Sequence, residues 1–437
     1  MMQALIQEFE NKKIALWGFG LEGKSTLNFI RNVLPNQKIT IIDDKEISLD
    51  DKNCETKLTK NTDFNVFDIV MKSPGIVIND EKFPMNILSS QSQLFLKYFK
   101  KQTIGITGTK GKSTTSSLLY HVLNSVYPSV FLVGNIGVPC FDILKELKDD
   151  SIVVFEISCH QLEYAKDSPH IGVLLNLFEE HLDHYGTFDK YCLAKENVFV
   201  NQMNNDIAII NSNCKEQLLK SKNAFTASMN NEGDIYAVGN TLVNPYNQLI
   251  VDETKINLIG HHNFYNMAID YFIASHFFNV SDEEFINAIE SFTTLHHRLE
   301  NVGVYNDIRY VDDSISTICQ STIQAITSLQ DVDTVLIGGL DRGIDYNELI
   351  EFLVEKDLPH VIFMYASGMR MYELWKQKTN KEAVYVDNLN DAVKLAKKIT
   401  AHGKTCLLSP AAASYGYFKN FEERGDVFKE LVKNDEI

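Results

Sequence analysis

The chain has 437 residues, 44% hydrophobic and 23% charged; this composition excludes a long disordered tail, and at about 150 residues per domain the length points to three domains. A formal net charge of -17 at pH 7 argues against a nucleic-acid or anionic-membrane surface, while leaving room for a local basic pocket that takes phosphates. The seven cysteines, Cys54, Cys140, Cys159, Cys192, Cys214, Cys319 and Cys406, are scattered with no CxxC pair, so buried thiols in a reducing compartment are expected rather than disulfides or a zinc site.

At the N-terminus Glu8 and Glu10 stand where a signal peptide needs its apolar core, and no uncharged apolar run reaches membrane-span length. A cytoplasmic protein with no membrane partner is expected. Residues 13–17 read as a strand, followed by Gly18-Phe-Gly20-Leu-Glu-Gly23, a helix over 24–32, and a second strand over 38–42 ending in Asp43-Asp44. Strand, GxGxxG, helix, strand and an acid about 20 residues on is the layout of a dinucleotide-binding unit, and it also serves any nucleotide whose diphosphate sits on a helix N-terminus. A third strand, 67–72, runs into Ser73-Pro74-Gly75 at the sheet edge where open α/β sheets bind ligands.

Residues 103–115, TIGITGTKGKSTT, read as an apolar strand, a glycine-rich turn and a helix. In such a turn backbone N–H groups face phosphate oxygens, Lys112 supplies a charge for the outer phosphates and Ser113 offers a hydroxyl to Mg²⁺. The GxxxxGK[ST] rule is met only in variant form, because Ile106 stands where the first glycine is usual. Residues 152–157 form an apolar strand carrying Glu156 near its end, which implies a metal, a basic partner or an outlet to solvent. After a strand over 171–175 comes Asn176-Leu-Phe-Glu-Glu-His181-Leu-Asp183-His184-Tyr185, a cluster that suits either a cation or a solvated loop. The helix expected over 187–199 contains Lys195, on composition a surface lysine. Residues 206–211 continue the alternation, 233–259 look like hairpins, Asn263 is a plausible cap for a helix over 260–278, a second helix spans 282–291, and His296-His297-Arg298 reads as a domain joint.

From 297 onward βα alternation resumes, with strands near 309–311, 334–337, 360–364, 383–386 and 405–408, reading as a third open parallel sheet. Its loops carry Asp312-Asp313-Ser314, Gly338-Gly339-Leu-Asp341-Arg342 and Ser409-Pro410-Ala-Ala-Ala-Ser414. Loops on a rigid sheet are where binding groups are usually mounted.

Together the stretches ITGTKGKST, VGNIG, FEIS followed by QLE, EEHLDHYG, AKENVF, GHHNFYN, LHHRLE, DDS, IGG and LLSPAAAS followed by FKNFEERG resemble the Mur ligases, ATP-dependent amide-forming enzymes of peptidoglycan precursor synthesis. The resemblance covers the whole chain. It implies an α/β fold of three domains: an N-terminal Rossmann-like domain (1–94) for the UDP-linked substrate, a central P-loop ATPase-like parallel sheet (95–296), and a C-terminal Rossmann-like domain (297–437) for the incoming amino acid.

The resemblance implies further that Gly108, Thr109, Lys110, Gly111, Lys112, Ser113 and Thr114 hold the ATP phosphates and that Asn266, Arg298 and Asp313 contact the nucleotide. Ser113 and Glu156 would bind one Mg²⁺; His181 and a Lys195 carbamylated by CO₂ would bind a second, with Lys112, His181 and Lys195 as the catalytic group. Gly20, Lys45, Ser73 and Asn135 would contact UDP-N-acetylmuramoyl-L-alanine, and Thr317, Arg342, Ser414 and the backbone at Phe421 would bind glutamate. A monomer is expected. The usual lysine after Asp313-Ser314 is Ile315 here, and the lysine after the Gly-Gly loop is Arg342. The overall resemblance makes D-glutamate the first expectation, and these departures make L-glutamate the alternative. A NAD-dependent dehydrogenase, a non-catalytic nucleotide switch and a folate-polyglutamate type ligase are the competing readings.

Overall fold

The computed structural model describes residues 1–80, 82–217, 223–258, 260–293, 297–329, 331–356 and 358–434. Among the described residues, the alternation of apolar strands and amphipathic helices builds three sheets. The first has the strand order Cys54–Leu58, Ile39–Asp43, Ile14–Trp17, Ile69–Lys72, Leu88–Ser89, all parallel. The helix Leu21–Val33 follows its first strand.

The central sheet runs Gln248–Ile250, Thr241–Val243, Ile235–Val238, Ala224–Ser228, Ile207–Asn211, Ile171–Leu174, Thr103–Thr107, Ile152–Glu156, Val130–Gly134. Its middle strands are fully buried, as expected of parallel strands covered on both faces. This order sets Thr103–Thr107 between Ile152–Glu156 and Ile171–Leu174. Three loops therefore leave neighbouring strands at one edge: the glycine turn into helix Lys112–Val126, the segment after Glu156, and the segment starting at Leu175. The first two sheets share one apolar core, in which Phe29 lies 5.1 Å from Phe141 and Phe95 lies 5.8 Å from Phe155, ring centre to ring centre. They pack as one compact unit, Met1–Asp252 with Asn263–Ile289, while Glu253–His262 and the chain from Glu290 onward form a second.

In that second unit the strand order is Glu300–Tyr305, Ile308–Asp312, Thr405–Leu408, Val332–Ile337, His360–Met364, Val384–Val386. Alternate residues of one strand feed opposite cores: Val335 and Ile337 face Leu349, Leu353 and Trp375, whereas Leu336 faces Ala392, Ala396 and Phe428.

The structure corrects several expectations. The third sheet is not wholly parallel, because Glu300–Tyr305 pairs antiparallel with Ile308–Asp312. Its two-residue turn, Asn306-Asp307, has positive φ at both positions (52° and 59°), the geometry that matches hairpin twist and that Asn and Asp tolerate. The pairing slips between Asn301 and Gly303, a bulge with Gly303 at φ 135°. The strands Cys54–Leu58 and Ala224–Ser228 escape notice in the sequence: the first is a polar outermost strand, and the second, paired on both sides, is short and carries Ala, Thr and Ser among its five residues. Asn263 is no cap: it lies inside helix His261–Phe272 and is buried. Lys195 is not on the surface, being 1% exposed. His296 and Ile259 lie outside the described residues.

Candidate active site

Strand Thr103–Thr107 ends in Gly108-Thr109-Lys110-Gly111, and Gly111 enters the helix at φ 84°. An L side chain is strained in that conformation, and a Cβ there would also stand 3.2 Å from Asn266 Oδ1, so only glycine lets the turn close under Asn266. The loop is held from outside by Asn176, whose Oδ1 accepts from Lys110 N at 2.8 Å while its Nδ2 donates to Lys110 O at 3.0 Å. Thr109 Oγ1 lies 2.8 Å from Tyr191 Oη and accepts from Phe178 N. These bonds fix the loop where it enters the N-terminus of helix Lys112–Val126, an arrangement that attracts phosphate. Ser113 and Thr114 follow on the first helical turn.

Two ammonium groups converge on one carbonyl. Lys112 Nζ donates to Gly108 O and Thr109 O, each at 2.9 Å, and Lys195 Nζ donates to Gly108 O at 2.8 Å. Burial, and then the charge of Lys112, pull the Lys195 amine down to about 7. A Lys195 ammonium also sits 4.9 Å from the centre of the Tyr191 ring.

Glu156 is fully buried on the strand beside the loop, paired in register with Ile106. Its Oε1 accepts from Asn135 Nδ2 at 2.7 Å, and Oε2 has no hydrogen-bond partner. A buried carboxylate oxygen left bare costs free energy that a cation recovers. With the Ser113 hydroxyl on the first turn of the adjoining helix, the donor set is all oxygen and fits a hard divalent ion such as Mg²⁺. His181 takes a left-handed backbone (φ 57°, ψ 33°) and is exposed; its Nε2 lies 3.9 Å from Glu180, and its ring lies 4.8 Å from that of His160. An open cleft of about 860 Å³ lies in the same unit, lined by Ile78, Glu163, Tyr164, His184, Leu193 and Ala194 among others.

In the first sheet, Gly20 precedes helix Leu21–Val33 and Lys45 is exposed. Ser73 Oγ donates to Gly18 O at 3.0 Å, joining two of the loops singled out from sequence. Asp43, which a dinucleotide reading assigns to a ribose, instead accepts from Phe19 N at 2.9 Å and Lys45 N at 3.2 Å. Its carboxylate ties its own loops together.

In the second unit the structure brings Arg342 to Thr317, whose carbonyl accepts from an Arg342 guanidinium nitrogen at 3.0 Å. Asp313 is turned inward: Ser409 Oγ donates to Oδ2 at 2.7 Å and Leu299 N donates to Oδ1 at 3.3 Å, while burial pushes the carboxyl up to about 7. Arg298 has a buried Nε with no partner. Phe421 O accepts from Ser314 Oγ at 2.8 Å, and Ser414 is buried.

Sequence reasoning missed three residues that hold these loops. Arg424, fully buried, donates to Ser314 Oγ (2.9 Å), Ser314 O (2.7 Å) and Ala412 O (3.0 Å), clamping the Asp-Asp-Ser loop to the Ser-Pro-Ala loop. Its place in FEERG beside quoted motifs was the available signal. Glu22, inside the glycine fingerprint, accepts from Gln161 Nε2 at 2.8 Å across 139 positions, and burial raises its pKa. Asn176 opens the Asn176–Tyr185 segment, whose histidines and carboxylates mask its structural part in the sequence.

The Mur ligase middle domain family model matches residues 106–273. A UDP-N-acetylmuramoylalanine--D-glutamate ligase from Oenococcus oeni is 30% identical over 443 residues, covering 98% of each chain. One of the same name from a Geobacillus strain is 32% identical over 375 residues, covering 83% of this chain and 82% of its own. Among solved structures, the MurF ligase from Thermotoga maritima in complex with ADP aligns with TM-score 0.60 at 17% identity, covering 97% of this chain and 96% of that one. The UDP-N-acetylmuramate-alanine ligase MurC of Thermotoga maritima aligns with TM-score 0.59 at 19% identity, covering 96% and 99%. Among the described residues no helix is long and apolar enough to cross a membrane.

Proposed function

We propose, because this chain belongs to the Mur ligase family, that it is the ATP-dependent ligase that joins D-glutamate to UDP-N-acetylmuramoyl-L-alanine, giving ADP and phosphate. The observation that carries the chemistry is the phosphate turn on which Lys112 and Lys195 converge, beside a buried Glu156 with an unpartnered oxygen.

Carboxylate and ammonium do not condense in water, so the acceptor's terminal carboxylate first takes the γ-phosphoryl of ATP. The turn's N–H groups grip the phosphates, and Lys112 leaves its two carbonyl partners to neutralise the outer ones. Ser113 and Glu156 would hold one Mg²⁺, and His181 with a carbamylated Lys195 would hold a second. When bound, the metal offsets the charge on the moving phosphoryl group. Lys195 suits carbamylation because its amine is enclosed and part neutral near pH 7; the neutral nitrogen attacks CO₂ and sheds a proton, turning a cation into an oxygen ligand. The glutamate amine then attacks the acyl carbon, and phosphate leaves from the tetrahedral intermediate.

We assign residues 1–94 to the UDP-linked substrate, with Gly20, Lys45, Ser73 and Asn135 as its contacts. Residues 95–296 are assigned to ATP and 297–437 to glutamate, with Arg342, Thr317, Ser414 and Phe421 as its partners and Asn266, Arg298 and Asp313 toward the nucleotide. The protein is taken to act as a cytoplasmic monomer. The test is a matrix of UDP-N-acetylmuramoyl-L-alanine against both enantiomers of candidate amino acids, read by phosphate release and product mass. A product containing D-glutamate is expected. Exclusive use of L-glutamate overturns the stereochemical assignment, and no amide with any partner overturns the ligase.

A further inference from the structure

Cys159 and His160 open the short helix after Glu156, where Ser158 caps the chain by accepting from Gln161 N. Nothing in the ligase chemistry uses them. Yet one ligand atom from each of Cys159, His160 and His181 comes within 4.8 Å of the other two. Cys159 Sγ and His160 Nδ1 are 3.6 Å apart. A tetrahedral Zn²⁺ with Zn–S of about 2.3 Å and Zn–N of about 2.0–2.1 Å has an S···N edge of about 3.5 Å. His184 packs edge-on to His160 at 4.5 Å between ring centres and is itself fixed by Glu163, 3.0 Å from its Nε2. Glu180, 3.9 Å from His181 Nε2, adds negative charge.

We infer that Cys159, His160 and His181 form a second, softer metal site that takes Zn²⁺ or a similar thiophilic divalent cation. A thiolate with two imidazoles is a softer donor set than the oxygen-rich one that Mg²⁺ prefers, and it favours Zn²⁺. The fourth position is left to water. As the Sγ–metal bond forms, the thiol proton passes to solvent. His181 is shared with the Mg²⁺ site assigned above, so a bound Zn²⁺ draws its imidazole away and turnover stops. This inhibitory consequence rests on the ligase reading; the site itself does not. Cys-His adjacency with a histidine 21 positions on matches no common zinc spacing, which is why the sequence gives no sign of it.

The experiment uses the full chain stripped with chelator, without nucleotide or substrate, titrated with Co²⁺. Expected are a near-ultraviolet thiolate-to-cobalt charge-transfer band saturating in proportion to the chain and visible bands of four-coordinate cobalt. Cys159→Ser should abolish the charge-transfer band, and His160→Phe should weaken Co²⁺ binding by about 10-fold or more. Should Cys159→Ser fail to fold, His160→Phe carries the comparison. No band, or bands unchanged by the substitutions, overturns the site. In the ligase assay at fixed Mg²⁺ and ATP, Zn²⁺ should inhibit reversibly, and His160→Phe should need about 10-fold more or higher for half inhibition. A cobalt band with Zn²⁺-insensitive turnover overturns the inhibition alone, and absence of any amide product is seen separately as failure of the ligase reading.

Discussion

Around the phosphate turn Glu156 is wholly buried with one oxygen bound by Asn135 and the other by nothing, whereas Arg424 in the second unit, equally buried, places three donors on Ser314 and Ala412. Lys195 and Lys112 crowd one carbonyl, while Asp312 in the second unit meets His297 Nδ1 at 2.7 Å and Asp313 is met by Ser409. Unfinished coordination marks a place where a ligand completes the structure. Finished coordination marks a brace. Substitutions at the unfinished groups should therefore be read in turnover and those at the braces chiefly in stability.

The largest effect is expected from the brace. Arg424→Met should destabilise the protein by about 3–5 kcal/mol, because the Ser314 and Ala412 acceptors stay buried with their donor gone, each left unsatisfied at about 1–3 kcal/mol. Denaturant titration measures it, and a loss below about 1 kcal/mol would erase the contrast between the units. Next, Lys112→Ala should lower amide formation by about 10²- to 10³-fold with little change in the thermal midpoint, since its ammonium reaches loop carbonyls at the phosphate turn. A stable mutant with normal turnover breaks the phosphate assignment.

Lys195→Ala should be nearly inactive and recover partly with short carboxylates or high chloride. The wild type should show a ¹³C carbamate signal from labelled bicarbonate that grows as pH rises through about 7, where the amine loses its proton, and fades below. The sign for stability is the same in carbonate-free buffer: the unfolded lysine keeps its proton to higher pH than the folded one. Stability contributed here is full at high pH and is lost as pH falls toward about 7. Activity indifferent to bicarbonate would remove the carbamate. The smallest effect belongs to Arg342→Ala, which should raise the KM for glutamate about 10-fold with little change for ATP. An unchanged KM shows that the exposed guanidinium beside Thr317 is not the carboxylate grip.

What could be read in advance was local. The turn at 108–113, the glycine fingerprint and the alternation of strands and helices along the chain depend on residues a few positions apart, and their periodicity survives in the chain. The clamp between Arg424 and Ser314 spans 110 positions and the Glu22–Gln161 bond 139. Pairings at such separation leave no pattern in a single sequence. Lys195 looked like an exposed lysine because its neighbours in the helix are mixed, and only the fold shows that this face turns onto Gly108.

The hairpin Glu300–Tyr305 with Ile308–Asp312 bears on how the protein behaves when crowded. An outermost strand offers a row of bare N–H and C=O groups to which another chain can add itself. Here that row is interrupted by the slip between Asn301 and Gly303, although Val304 stands 63% exposed beside it. The kink denies a flat template to a passing strand, so deleting Gly303 should straighten the edge and send the protein into aggregates at concentrations the parent tolerates.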